Sequence, residues 1–172
     1  MKTMIKEAKR VMANPNDYEA RANIMWAAMI AQNNITGVGR AQDWGCHNME
    51  HELSAIYDIA HGAGLAVVTP AWMKYVWREN PQMFVQFAVK VMGVDGSYRQ
   101  TEDIVMEGIE KLSAFFRSIG QPTTLGELGI GEDRLEEMAR TATHECFGQE
   151  SPIGGLKKLY WQDVLAIYKL AL

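Results

Sequence analysis

The chain has 172 residues, of which 48% are hydrophobic and 22% are charged, as in an ordinary globular domain with a core of its own. Its net charge of −4 and pI of about 5.6 argue against nucleic acid or an anionic membrane surface as a partner. No membrane-spanning run and no secretory signal are evident. Cys46 and Cys146 form no disulfide framework, so we expect reduced thiols in a cytoplasmic protein.

The apolar pattern predicts a helix at the start of the chain, broken at Asn14-Pro15-Asn16. Asn16 or Asp17 then caps a second helix, which runs to about Gln32. Its stretch from Ile24 to Ala31 is apolar on every side, and we therefore expect it to be the central helix, buried all round.

A loop with three glycines, Asn33 to Gly45, separates this helix from a histidine-containing one and has no phosphate-binding motif. Pro70 is expected to break or kink the next apolar run, Leu65 to Val76. Further helices are predicted from Asn80-Pro81 to Gly93, from a cap at Thr101 to Gly120, from Glu132 to Phe147 and from Val164 to Leu172, with a connector from Pro122 to Gly131. No convincing strand pattern is present, so residues 1–172 are predicted to be one all-α domain of seven or eight helices.

Three of the four histidines, His47, His51 and His61, lie between Cys46 and Gly62. His47 and His51 are four residues apart and stack on one helix face. His61 falls about 40° from the direction of His47, so all three imidazoles can point the same way whether the helix continues or turns near His61. Because imidazole is the commonest metal ligand and titrates near neutrality, this face is a candidate metal or proton-transfer site, although spacing alone leaves a purely structural role open.

One longer motif is Asp43-Trp44 followed by His47-x3-His51-x9-His61-Gly62. This motif resembles the C-terminal half of the iron-dependent (group III) alcohol dehydrogenases. The resemblance is strongest to their butanol-dehydrogenase-like, NADPH-dependent branch, and residues 16–28, 65–75, 115–122 and 163–168 agree in order. It implies the all-helical metal-binding domain of the dehydroquinate synthase-like fold.

The resemblance implies that His47 and His61 bind a divalent metal, iron first and zinc as the alternative, which polarises an alcohol or aldehyde oxygen during hydride transfer. It implies that His51 lies beside the metal and the nicotinamide, for proton transfer or substrate orientation. Two further ligands, an Asp and a His, and the α/β domain that binds NADP or NAD would lie upstream of this chain. Asp43 matches a non-ligand aspartate of the family.

We therefore expect a C-terminal domain without its nucleotide-binding domain, inactive alone and a weak metal binder. Without that domain, an apolar face that would pack on it becomes exposed, and Met25, Trp26 and Met29 are candidates for this face. Because a large exposed apolar patch tends to be covered by a partner, we expect a homo-oligomer.

Two other interpretations stay open. One is a non-catalytic helical interaction module that retains the histidines by inheritance. The other is a free-standing histidine-based metal hydrolase, which lacks a convincing general base because Glu50 and Glu52 flank His51 but are expected to project to other faces.

Overall fold

The computed structural model describes residues 1–144, 148 and 151–172. Within these residues the chain forms eight α-helices, three short 3-10 helices and no strand longer than an isolated bridge, which confirms the all-α prediction. The helices are α1 (Lys2–Ala13), α2 (Tyr18–Gln32), α3 (Gly45–Tyr57), α4 (His61–Val76), α5 (Pro81–Lys90), α6 (Thr101–Ser118), α7 (Leu135–Ala142) and α8 (Trp161–Leu170). None of them combines the length and apolar character that crossing a bilayer requires.

The central helix is α4. Eight of its sixteen residues are buried, and it packs against α3, α6 and α8. Val67, Val68 and Val76 are almost fully removed from solvent, together with core residues from the surrounding helices. Those core residues include Met49, Leu53, Ile109, Met138 and Ile167. The N-terminus of α4, which carries His61, therefore belongs to the best-packed helix of the domain.

The prediction that α2 is buried on all sides is wrong. Ala20 is its one buried residue, and Met25 and Trp26 are 73% and 65% exposed. Helix α2 packs mainly on α1, which covers a single face. An apolar run predicts burial only where enough neighbouring elements exist to cover every side of the helix.

Local start signals are mostly correct. Asp17 accepts a hydrogen bond from a first-turn N–H of α2, and Asn80 does the same for α5, which has Pro81 at its first position. Thr101 does not cap α6, because the cap position is Gln100 and no side chain bonds there.

Two other predicted boundaries differ from the structure. Helix α4 runs through Pro70 without a break. Helix α7 covers Leu135–Ala142 and not the whole stretch from Glu132, while Phe147 and Cys146 lie outside the described residues.

Tyr168 ties the last helix to the histidine helix. Its side chain is fully buried, and its hydroxyl donates a hydrogen bond of 2.7 Å to the backbone carbonyl of Met49, between His47 and His51 on α3. Burial raises the pKa of Tyr168 well above its ordinary value, so the hydroxyl keeps its proton and remains a donor.

We expect Tyr168→Phe to lower the free energy of unfolding by about 1–1.5 kcal/mol, because a buried hydrogen bond is lost with little change in packing. The fully exposed Tyr98 supplies a matched control, and Tyr98→Phe should change stability by less than about 0.5 kcal/mol. Urea denaturation followed by circular dichroism measures both variants. Equal stability of the two variants would show that the Tyr168 hydroxyl does not secure α3.

Candidate metal centre

The turn between α3 and α4 brings the three histidines together. Helix α3 ends at Tyr57, Asp58 takes the left-handed conformation with φ of 51°, and α4 begins at His61. The chain therefore doubles back, and the first residue of α4 lies over the face of α3 that carries His47 and His51. Of the two possibilities left open by the sequence, a turn near His61 and not a continuous helix is the observed one.

The ring nitrogens of His47 and His61 face each other. Nδ1 of His47 lies 3.1 Å from Nε2 of His61, and one ring nitrogen from each of His47, His51 and His61 lies within 4.8 Å of the others. Two imidazole nitrogens bound to one divalent ion at about 2.0–2.1 Å each are about 2.9–3.4 Å apart at angles of about 90–110°. The separation of 3.1 Å fits two ligands of a single ion.

The electrostatic environment keeps His47 available as a ligand. Burial first, and then the nearby His61 and His51 rings, lower the pKa of His47 below its ordinary value. The ring is therefore neutral at pH 7, the form that binds metals. His47 is half-buried, whereas His51 and His61 are exposed, so the cluster is covered on one side and open to solvent on the other.

Glu50 joins the cluster from the buried side. Its side chain is fully buried, and its carboxylate accepts a hydrogen bond from Nδ1 of His61 and another from the Ser54 hydroxyl. The sequence analysis expected Glu50 to project to another face than His51, and it did not foresee the contact of Glu50 with His61 of α4. Gly64 was the available signal, because a Cβ there would lie 2.5 Å from Oε1 of Glu50. Glycine in the body of a helix often marks such a close approach.

Asp43 holds the start of the histidine helix in place. Its Oδ1 accepts the N–H of Gly45 at 2.7 Å, and its Oδ2 accepts the N–H groups of Gly155 and Leu156 at 2.8 Å each. Both oxygens are thus engaged by backbone donors, which suits an anchoring aspartate better than a metal ligand. The contact links the loop before α3 to a segment more than a hundred residues later.

Cys46 and Trp44 both lie close to His47, and Cys46 is the more buried of the two. Burial raises the pKa of the Cys46 thiol to about 12, so it stays protonated and is a poor ligand at neutral pH. Trp44 is about half exposed, and its ring centroid lies 4.9 Å from that of His47. Trp44 is therefore a partly exposed apolar neighbour of His47.

The chain is similar to known proteins over its whole length. Residues 1–172 match the Fe-containing alcohol dehydrogenase family, C-terminal. NADH-dependent butanol dehydrogenase A of Clostridium acetobutylicum is 43% identical over 98% of this chain and 43% of its own length. The crystal structure of NADH-dependent butanol dehydrogenase A from Thermotoga maritima superposes with a TM-score of 0.91 at 41% identity, over 99% of this chain and 43% of that one.

The aldehyde reductase YqhD of Escherichia coli has the same fold, with a TM-score of 0.87 at 26% identity over 99% of this chain and 44% of that one. The chain thus spans less than half the length of these relatives. Because the family match covers every residue, the chain belongs to the Fe-containing alcohol dehydrogenases and corresponds to their C-terminal helical domain.

Proposed function

We propose that residues 1–172 form the metal-binding domain of an alcohol dehydrogenase or aldehyde reductase that uses a nicotinamide cofactor. The observation that carries this proposal is the 3.1 Å approach of ring nitrogens from His47 and His61 on two different helices. Membership of the family supports the reaction class. The names of the 43% and 41% identical relatives support butanol or butanal as a substrate of suitable size.

His47 and His61 would hold a divalent ion, iron by family and zinc as the alternative. Such an ion supplies Lewis-acid polarisation of the substrate oxygen while hydride moves to or from the nicotinamide. Two imidazoles alone make a weak site, because tight sites of this kind use three or four protein ligands. The remaining ligands would come from sequence outside residues 1–172.

His51 is proposed to move a proton at the substrate oxygen or to orient the substrate. Its ring centroid is 6.4 Å from that of His47 and 5.5 Å from that of His61, and its side chain is exposed. These distances and this exposure support a place beside the proposed metal ligands, with access for a small molecule. An imidazole can either donate or accept a proton in this role, which suits both directions of the reaction.

The nicotinamide cofactor would be bound mainly by a separate α/β domain. NADH is favoured over the NADP that the sequence resemblance implied, because the relatives described above at 43% and 41% identity are named NADH-dependent. His51 is the residue of this chain proposed to face the nicotinamide.

The exposed side chains of Met25, Trp26 and Met29 support self-association through α2. We expect light scattering to find a dimer or larger assembly of the 172-residue chain. Replacing Met25 and Trp26 together by serine should shift it toward monomer, because the apolar contact is removed. A wild-type chain that stays monomeric at high concentration would contradict this expectation.

The polypeptide comprising residues 1–172 alone should bind zinc or ferrous ion weakly and should not reduce butanal with NADH or NADPH. The reason is that two histidines provide half of the proposed ligand set, and that residues 1–172 match the family's C-terminal part and not its nucleotide-binding part. Calorimetry and absorbance at the nicotinamide band measure the two properties. Tight one-to-one metal binding, or turnover by the pure polypeptide, would contradict the proposal that further metal ligands and the nucleotide site lie outside residues 1–172.

A chimera in which residues 1–172 replace the matching 43% of the Clostridium enzyme tests the roles of the histidines. His47→Ala or His61→Ala should remove bound metal and lower kcat by more than about 100-fold. Replacing a residue that only hydrogen-bonds to a metal ligand already costs about 10- to 100-fold in metal affinity or activity, and losing the ligand itself should cost more. His51→Ala should keep the metal and lower kcat by about 100- to 10,000-fold, the usual range for a proton-transfer group.

His144 supplies the control for this series. It has a φ of 57°, which asparagine tolerates, so His144→Asn should keep both metal and activity. If His51→Ala lost metal as completely as His61→Ala, His51 would be a ligand and not a proton-transfer group. If His47→Ala kept its metal, the proposed centre would be wrong.

A further inference from the structure

We propose that Glu50 is the positioning residue of the histidine cluster: it holds His61 with the proton on Nδ1, so that the lone pair on Nε2 faces His47. The inference deepens the proposed metal-binding function and rests on it for its purpose. The tautomer itself is a property of the protein before any ion binds, and it can be measured separately.

The burial of Glu50 requires strong partners. Its side chain is fully removed from solvent on α3, the helix that also supplies the core residues Met49 and Leu53. A buried carboxylate is costly unless it is hydrogen-bonded or paired. Its partners are Nδ1 of His61 and the hydroxyl of Ser54, which also lies 3.1 Å from the carbonyl of Ile59 in the turn before α4.

This contact decides which nitrogen of His61 carries a lone pair. A neutral imidazole has one N–H and one free nitrogen. When Nδ1–H donates a hydrogen bond to the carboxylate of Glu50, the one proton of the neutral ring is on Nδ1. Nε2 then carries a lone pair that can accept a hydrogen bond or bind a metal. Nε2 is the atom that lies 3.1 Å from His47. A carboxylate that orients a ligating histidine in this way also fixes the ring plane.

The packing around Glu50 is shaped to hold it. A Cβ at position 64 would lie 2.5 Å from Oε1 and 2.6 Å from Cγ of Glu50, so only glycine leaves room for the carboxylate between the helices. Glycine is otherwise an unfavourable residue inside a helix. The space that Gly64 opens lets α4 approach α3 closely enough for His61 to reach Glu50.

The test is nitrogen-resolved NMR of the imidazole rings in the 15N-labelled, metal-free chain, recorded at a pH above which the ring signals no longer change. Wild-type His61 should be the Nδ1–H tautomer. Glu50→Gln should keep that tautomer, because its amide oxygen can accept from Nδ1–H while its NH2 group donates to Ser54. Glu50→Met should lose it, and His61 should show the Nε2–H form. Glu52→Gln, a nearby carboxylate without contact to His61, should match wild type.

Zinc titration of the same samples gives a second readout. Glu50→Met should weaken zinc binding to His61 by about 10- to 100-fold, the usual cost of losing an outer-sphere partner, and Glu50→Gln by less. If Glu50 only tied α3 to α4, Glu50→Met would lower thermal stability but leave the tautomer of His61 unchanged.

An Nε2–H tautomer of His61 in the wild-type chain would overturn the proposal without any variant. An unchanged tautomer in Glu50→Met would overturn it as well. If Glu50→Met does not fold, Gly64→Ala displaces the carboxylate instead and should shift the tautomer in the same direction. If the wild-type tautomer is Nδ1–H but zinc leaves the His47 and His61 signals unmoved, the positioning role is supported and the proposed metal function fails.

Discussion

The close approach of α3 and α4 is the constraint on which the site depends. Helix α3 ends at Tyr57 and α4 starts at His61, so the chain has three residues in which to reverse and place one imidazole against another. Asp58 makes the reversal possible by adopting a left-handed conformation, which aspartate tolerates better than most residues. Gly64 then lets the two helices approach, and the buried carboxylate of Glu50 occupies the space between them.

The rest of the fold holds the two ends of this arrangement. His61 stands at the start of α4, whose apolar side chains form the centre of the core. His47 stands near the start of α3, which Asp43 anchors to the backbone of Gly155 and Leu156. Such support from distant segments fixes the helix starts that carry the two histidines, and preorganisation of this kind favours metal binding. On the exposed side of the cluster, where His51 and His61 lie, the further ligands and the substrate of the proposed function would bind.

Features set by neighbours in sequence could be predicted from the sequence. The stacking of His47 and His51 follows from their spacing of four residues, and the Asp17 and Asn80 caps follow from local backbone geometry. Features set by tertiary neighbours could not be predicted. Pro70 does not break α4 even though it removes a backbone donor, and it lies buried in the core.

The exposure of α2 and the role of Glu50 have the same explanation. Trp26 is exposed because packing partners, and not the apolar run itself, decide burial. Glu50 contacts His61 because of how α4 packs on α3, and in the sequence only Gly64 pointed to such a close approach. Gly155 and Leu156, which donate to Asp43, lie more than a hundred residues later in the sequence, so the anchoring role of Asp43 could not be predicted either.

The convergence of His47 and His61 on one ion can be tested most directly by anomalous diffraction from crystals of this chain soaked in a zinc salt. One anomalous peak is expected at about 2.0–2.1 Å from a ring nitrogen of each of the two histidines, with Glu50 against the far nitrogen of His61. Zinc bound only elsewhere, or rings of His47 and His61 turned away from each other, would contradict the proposed centre.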